Sequence, residues 1–157
     1  MSSIVVDRSC SRPAVGCAIA ALAGLLIGMS PVAATAAEWT AELHSVTPEQ
    51  GRTLLALARD FFQHPELPDA PYILCIAPVD AAASDSEAKA SLADAMEVVE
   101  GATRRMGYTS YPDISDEYER LRLSKMLAEG RWMRQFKKSM EQCLYAQPEV
   151  RAKLNRD

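Results

Sequence analysis

Few side chains in this sequence have the types and spacing that perform chemistry. The two histidines, His44 and His64, have no second ligand at helical spacing, whereas a zinc site needs several convergent Cys and His side chains. Glu66 and Asp69 flank a proline-rich segment, where a solvated acidic turn is a simpler interpretation than a catalytic carboxylate pair. No nucleotide-binding, covalent-haem or nucleophile-elbow motif occurs. We therefore predict no catalytic residue, no metal site and no bound cofactor, with an enzyme that uses His64 and nearby acids as an alternative.

The N-terminus has the three parts of an export signal. Two arginines supply positive charge, the uncharged apolar run Ala14–Met29 follows, and an A-x-A cleavage pattern ends at Ala36. We predict a signal peptide over residues 1–36 and one periplasmic domain over residues 37–157. An uncleaved membrane anchor is the alternative, because the apolar run approaches the length of a membrane span.

Two cysteines remain once that peptide is removed, Cys75 and Cys143. In an oxidising compartment they can form a disulfide, which would close a long loop and stabilise the fold by roughly 4–5 kcal/mol in the chain-entropy model. Two buried thiols that act as small apolar side chains are the alternative, since the sequence does not supply the geometry of a bridge.

Charge is unevenly distributed along the mature chain. Residues 37–103 hold three basic and twelve acidic side chains, whereas residues 104–157 hold twelve basic and eight acidic ones. This polarity indicates a face for interaction with another protein, and the acidic total weighs against a nucleic-acid partner.

The hydrophobic pattern predicts an all-α protein, a compact bundle of about five helices. Thr47, Pro48 and Gln50 form a capping-box start for the first helix. The segment 64–72, which we call the proline corner, then ends that helix and forms a stiff turn. Asp69 is expected to cap the second helix.

The remaining helices follow from caps and apolar periodicity. Pro78 is expected to kink the second helix or end it early. Ser84 or Ser86 is expected to cap a third helix, and a fourth covers roughly residues 115–128. A fifth helix begins near Arg131, and Pro148 starts a short last helical turn.

The fifth helix carries an apolar stripe with a basic surround. The stripe consists of Trp132, Phe136, Met140 and Cys143, and the basic residues include Arg131 and Arg134. Such a stripe usually faces the protein's own core, but an exposed stripe would be a docking surface with Trp132, Arg131 and Arg134 as anchors.

Two blocks of the sequence resemble a known family. The stretch "VTPEQGRTLLALARDFFQHPELPDAPY" resembles the opening of the gluconate 2-dehydrogenase subunit 3 family, and "EGRWMRQFKKSMEQCLYAQPEV" resembles its close. The matching positions are Thr47, Pro48, Leu54, Ala58, Arg59, Asp60, His64, Leu67, Pro68, Asp69 and Tyr72, then Gly130, Leu144, Tyr145, Pro148, Glu149 and Val150. The sequence departs from the family where "RWMR" replaces "TPFF", and its signal lacks the adjacent arginines of a twin-arginine leader.

The resemblance implies a small, non-catalytic subunit of an exported dehydrogenase. In that family a large flavoprotein of the glucose-methanol-choline type binds FAD and oxidises a sugar acid, sugar or alcohol, and a multihaem cytochrome c usually accepts the electrons. The small subunit supports folding, export or stability of the flavoprotein. The proline corner would then present Glu66, Asp69 and Tyr72 to the large subunit, or it would be a purely internal connection. A stand-alone periplasmic binding or chaperone-like module is the alternative function.

Overall fold

The computed structural model describes residues 39–155, so the predicted signal peptide lies outside the described residues. The described part consists of six α-helices and two short 3-10 turns, Trp39–Glu42 and Tyr111–Asp113, and it contains no strand. The prediction of an all-α bundle is thus confirmed. The helices are α1 (Pro48–Phe62), α2 (Ala70–Ala82), α3 (Ser86–Arg105), α4 (Glu117–Leu127), α5 (Arg131–Ala146) and α6 (Pro148–Lys153).

Helix α1 is the central element of the bundle. The Thr47 hydroxyl accepts from the Gln50 backbone N–H at 3.2 Å, and the Gln50 side chain accepts from the Thr47 N–H at 3.0 Å. This reciprocal pair is the predicted capping box. Leu54 and Leu57 are fully buried, and α1 packs against α2, α4 and α5.

Helix α2 differs from the prediction at both its start and its interior. Asp69 occupies the N-cap position, but its side chain makes no capping hydrogen bond because it pairs with Arg59 instead. Pro78 neither ends the helix nor limits its length, since α2 continues to Ala82. Pro78 has no backbone N–H, so the carbonyl of Leu74 lacks its helical hydrogen-bond donor. Both residues are exposed, and water can bind this carbonyl instead.

Helix α3 begins with a cap that the pattern did not identify. Asp85 Oδ1 accepts from the backbone N–H groups of Glu87 and Ala88 at 2.9 and 3.0 Å, so neither Ser84 nor Ser86 is the cap. The negative charge of the Asp85 carboxylate also interacts favourably with the positive end of the helix dipole.

Helix α5 buries the middle of its predicted stripe. Phe136 and Met140 lie in the core, with Met133 and Leu144 beside them, whereas Trp132 and Cys143 are half-buried. The interpretation of the stripe as core is therefore confirmed for Phe136 and Met140. Helix α6 follows at Pro148, as predicted.

Candidate functional site

The proline corner is an ordered turn with a buried centre. Helix α1 ends where Gln63 adopts a left-handed conformation (φ 50°), and the Leu67 N–H then donates to the His64 carbonyl at 3.1 Å. Leu67 is only 2 % exposed, so it fixes the corner to the core. The corner therefore has a single defined shape on the protein surface.

Arg59 holds the two sides of this corner together. Its guanidinium forms an ion pair and hydrogen bond with Asp69, and it donates to the Leu67 carbonyl at 3.5 Å. The same guanidinium lies 5.7 Å from the centre of the Tyr72 ring, a cation–π distance. One arginine on α1 thus contacts the turn and the first part of α2.

His64 links the corner to α5. Its Nε2 atom is hydrogen-bonded to the Tyr145 hydroxyl at 2.8 Å, and its Nδ1 atom lies 3.7 Å from Glu66. Phe62 makes an edge contact with the Tyr145 ring at 6.1 Å between centroids. The first sequence block that resembles the dehydrogenase subunit family therefore contacts the second block directly.

A disulfide joins Cys75 of α2 to Cys143 of α5, with Cα atoms 5.7 Å apart. Beside it, Gln147 Nε2 donates to the Pro71 carbonyl at 3.0 Å and to Cys75 Sγ at 3.1 Å. In these contacts, residues in the first half of α2 meet residues at the end of α5. The alternative of two unpaired thiols does not hold in the structure.

The structure separates the predicted partner-binding residues into two places. Glu66 and Asp69 are exposed at the corner, next to the C-terminal half of α5. Arg131 and Arg134 are exposed at the start of α5, roughly 20 Å from Tyr145 along the helix axis.

Two of those residues have less access to solvent than a partner contact requires. Tyr72 is fully buried, so its predicted position on a partner-facing surface is wrong. Burial raises the pKa of its hydroxyl, although the nearby Arg59 charge opposes that shift. Trp132 is half-buried and stacks on Phe136 at 5.4 Å between centroids, so only its outer edge can contact a partner.

An open groove of about 1020 Å³ lies between α2, α3 and α5, and we call it the α2–α3–α5 groove. Its lining is mainly apolar and includes Pro78, Leu92, Ala95, Trp132 and Phe136. Two large apolar side chains of the lining, Val98 and Met126, are 60 % and 62 % exposed. No sequence pattern indicates this groove, apart from the alternative interpretation of the α5 stripe as an exposed docking surface.

Two buried carboxylates were missed by sequence reasoning. Asp60 accepts from Tyr111 Oη at 2.7 Å and from Arg120 Nε at 2.9 Å, which ties α1 to α4. Burial and the adjacent Asp60 carboxylate raise the pKa of Tyr111 far above its usual range. Asp80 accepts the backbone N–H groups of residues 44–46. The partners of both acids are distant in the sequence, so the pattern of neighbouring residues does not predict these contacts.

The described residues, 39–155, contain neither a metal-binding cluster nor a membrane-spanning helix. Within that range no group of three or more His, Cys, Asp or Glu side chains is placed to hold a metal ion. No helix of the described part combines the length and apolar character needed to cross a bilayer.

Comparison with known proteins does not extend the motif resemblance. No protein-family model, curated protein or solved structure matches this chain. The resemblance to the gluconate 2-dehydrogenase subunit 3 family therefore rests on the two sequence blocks, which the fold brings into contact at His64 and Tyr145.

Proposed function

We propose that this chain is a non-catalytic small subunit of a periplasmic, FAD-dependent dehydrogenase of the glucose-methanol-choline type. It supports the folding, export or stability of the large subunit, which binds the FAD and oxidises a sugar acid, sugar or alcohol. The chain itself binds no cofactor in this proposal. A multihaem cytochrome c is the second expected partner, and association with the membrane is indirect, through the complex.

The observation that supports this proposal most is the contact between the two family-like blocks. His64 and Tyr145 both occupy positions that match the family pattern, and they are hydrogen-bonded across 81 residues of sequence. The meeting is expected if both blocks belong to one inherited structural unit.

Several other matched positions have structural roles that explain their residue types. Arg59 pairs with Asp69, Asp60 binds Arg120, and Leu67 is buried at the centre of the corner. These roles support the corner as a rigid part of the subunit. Of the residues predicted to face a partner at the corner, Glu66 and Asp69 are exposed.

The α2–α3–α5 groove supports the second candidate, a stand-alone periplasmic binding or chaperone-like module. Exposed apolar surface in a cleft is typical of a site for another molecule. This candidate needs no permanent flavoprotein partner, so the composition of the native complex distinguishes the two functions.

Affinity purification of the tagged protein from its native host tests the proposal. Mass spectrometry identifies co-purifying proteins, and an absorbance scan detects flavin. A large co-purifying protein that carries FAD is the expected result. A colourless chain without a partner would refute the subunit proposal and leave the stand-alone module.

Charge reversal on α5 makes this experiment more specific. Arg131→Glu and Arg134→Glu together should reduce recovery of the large protein, because both are predicted contacts and both are exposed. Lys138→Glu is the matched control, since Lys138 is an exposed cation on the same helix outside the predicted contact. Equal recovery with the double variant and the control would exclude this end of α5 from the interface.

A further inference from the structure

The α2–α3–α5 groove is too long for a compact small molecule. Its lining extends along α3 from Glu87 to Arg105, which lie roughly 27 Å apart at the rise of an α-helix. Small-molecule pockets enclose most of the ligand surface in about 300–1,000 Å³. An open channel of this length instead has the dimensions of a groove for a helix.

The walls of the groove provide apolar contacts along its length. The accessible contacts are Val98 on the α3 side, the half-buried Trp132 on the α5 side and the exposed Pro78 on α2, while Ala95 and Phe136 line the groove from the core. Val98 is more than half exposed although it is a large apolar side chain. An amphipathic helix would cover such a surface with apolar residues spaced three and four positions apart.

Charge changes sign along the groove. The lining contains Asp85 and Glu87 at the N-terminal end of α3, with Asp94 further along, whereas Arg105 lies at the C-terminal end of α3. This change of sign is carried by α3, and the other cation of the lining, Arg131, lies at the start of α5. An occupant complementary to this distribution has basic side chains opposite the start of α3 and acidic side chains opposite its end.

We propose that the α2–α3–α5 groove binds an amphipathic helix of a partner protein, antiparallel to α3. The orientation follows from two independent effects. Helices are stabilised by acidic residues in their first turn and basic residues in their last turn. In the antiparallel orientation, the acidic residues in the first turn of the partner helix face Arg105, and the basic residues in its last turn face Glu87. The binding surface is therefore defined whichever protein supplies the helix, and it goes beyond the proposed subunit function.

Two synthetic peptides test this surface on the full chain, separated from any protein that co-purifies with it. Each is about 18 residues long, the number that spans the groove, with leucines spaced three and four positions apart. The first has glutamates in its first turn and lysines in its last turn, and the second has the two turns exchanged. Both are stapled on the solvent face, so that each is helical before it binds.

Binding is measured by fluorescence anisotropy of the labelled peptides at low salt, with Trp132 emission as a second signal. The first peptide should bind about tenfold more tightly than the exchanged one, because attraction at both ends becomes repulsion. Added salt should reduce that ratio, since exposed charges are screened. Equal affinity of the two peptides, or no binding of the first at about 1 mM, overturns the proposal.

Matched variants locate the site. Val98→Asp in the groove should weaken binding of the first peptide at least about tenfold, whereas Leu74→Asp should not, since Leu74 has the same exposure but lies outside the lining. Arg105→Glu should reduce the ratio between the two peptides, whereas the neighbouring exposed Arg104→Glu should leave it unchanged. Equal effects within either pair overturn the assignment of the groove.

A second copy of this chain is the competing occupant. Sedimentation of the peptide-free protein distinguishes the two cases. The proposal expects a monomer whose groove is free, and a dimer that Val98→Asp dissociates would overturn it.

Discussion

Replacing Asp80 by asparagine tests whether one buried carboxylate fixes the N-terminal segment to α2. Asp80 is 7 % exposed. Its Oδ1 atom accepts the backbone N–H groups of Ser45 and Val46, each at 2.8 Å, and its Oδ2 atom accepts that of His44 at 3.0 Å. Three successive N–H groups thus converge on a single ionised side chain.

The expected loss of stability follows from the change in acceptor. Hydrogen bonds to a charged group contribute about 1.5–3 kcal/mol each, against about 0.5–1.5 kcal/mol for neutral partners. Asparagine at position 80 keeps the shape, but its Oδ1 accepts without a charge, and the NH2 group that replaces Oδ2 cannot accept the His44 N–H. Water can reach the exposed His44 and so offsets part of the loss. We expect the free energy of unfolding to fall by about 2–3 kcal/mol.

The effect of this substitution should depend on pH. Burial by itself would raise the pKa of Asp80, but the N–H groups of His44, Val46 and Ser45 outweigh it and lower the pKa below its ordinary value. A lowered pKa in the folded state means that the ionised carboxylate stabilises the fold above the unfolded pKa of about 3.9. That contribution shrinks as the pH falls below the unfolded pKa and is lost only below the folded pKa, so the difference between wild type and variant should decrease progressively below about pH 4.

Urea unfolding followed by tryptophan fluorescence measures this difference at about pH 7 and at successive steps below about pH 4. Trp39 is a local reporter, because it is buried in the same N-terminal segment. Asp85→Asn is the control: Asp85 accepts two backbone N–H groups at an exposed helix cap, where asparagine caps almost as well. A loss below about 0.5 kcal/mol for Asp80→Asn, or a loss that persists unchanged at low pH, would refute the reasoning.

Three further predictions concern contacts that join distant parts of the chain. Replacing Cys75 and Cys143 together by alanine should lower the free energy of unfolding by up to about 4.4 kcal/mol, the chain-entropy value for a sequence separation of 68; an unchanged urea midpoint would contradict it. Tyr145→Phe and His64→Ala should each cost about 1 kcal/mol, and a double-mutant cycle should show that the two losses are not additive; strict additivity would show that the hydrogen bond contributes nothing. Tyr111→Phe should leave the ultraviolet tyrosinate titration of the folded protein unchanged, because the pKa of Tyr111 lies far above that of an exposed tyrosine; a lost titration step between about pH 10 and 11 would contradict this burial.

Local chemistry determined the start of α1 and the position of the corner. The capping box at Thr47 and Gln50 needs only neighbouring residues, so the sequence alone identifies it. The same local reasoning failed at α3, where three adjacent candidates, Ser84, Asp85 and Ser86, are all good caps. Only the backbone path decides which side chain faces the free N–H groups.

The candidate site was predicted only in part. Glu66 and Arg131 are exposed, as a partner contact requires, but Tyr72 is buried because α2 turns its first face toward the core. The α2–α3–α5 groove could not be predicted either, since it arises from the distances between three helices. Helix periodicity defines which face is apolar, but it does not define how closely a neighbour covers that face.

The sequence by itself determined the helical class, the main helix starts and the two cysteines that can pair, because these depend on residue type and short spacing. Tertiary structure alone decided that His64 meets Tyr145, that Asp80 binds the segment before α1, and that Val98 stays uncovered. The physical reason is common to all three. Each depends on the relative placement of helices, which is set by core packing summed over many weak contacts and not by any local pattern.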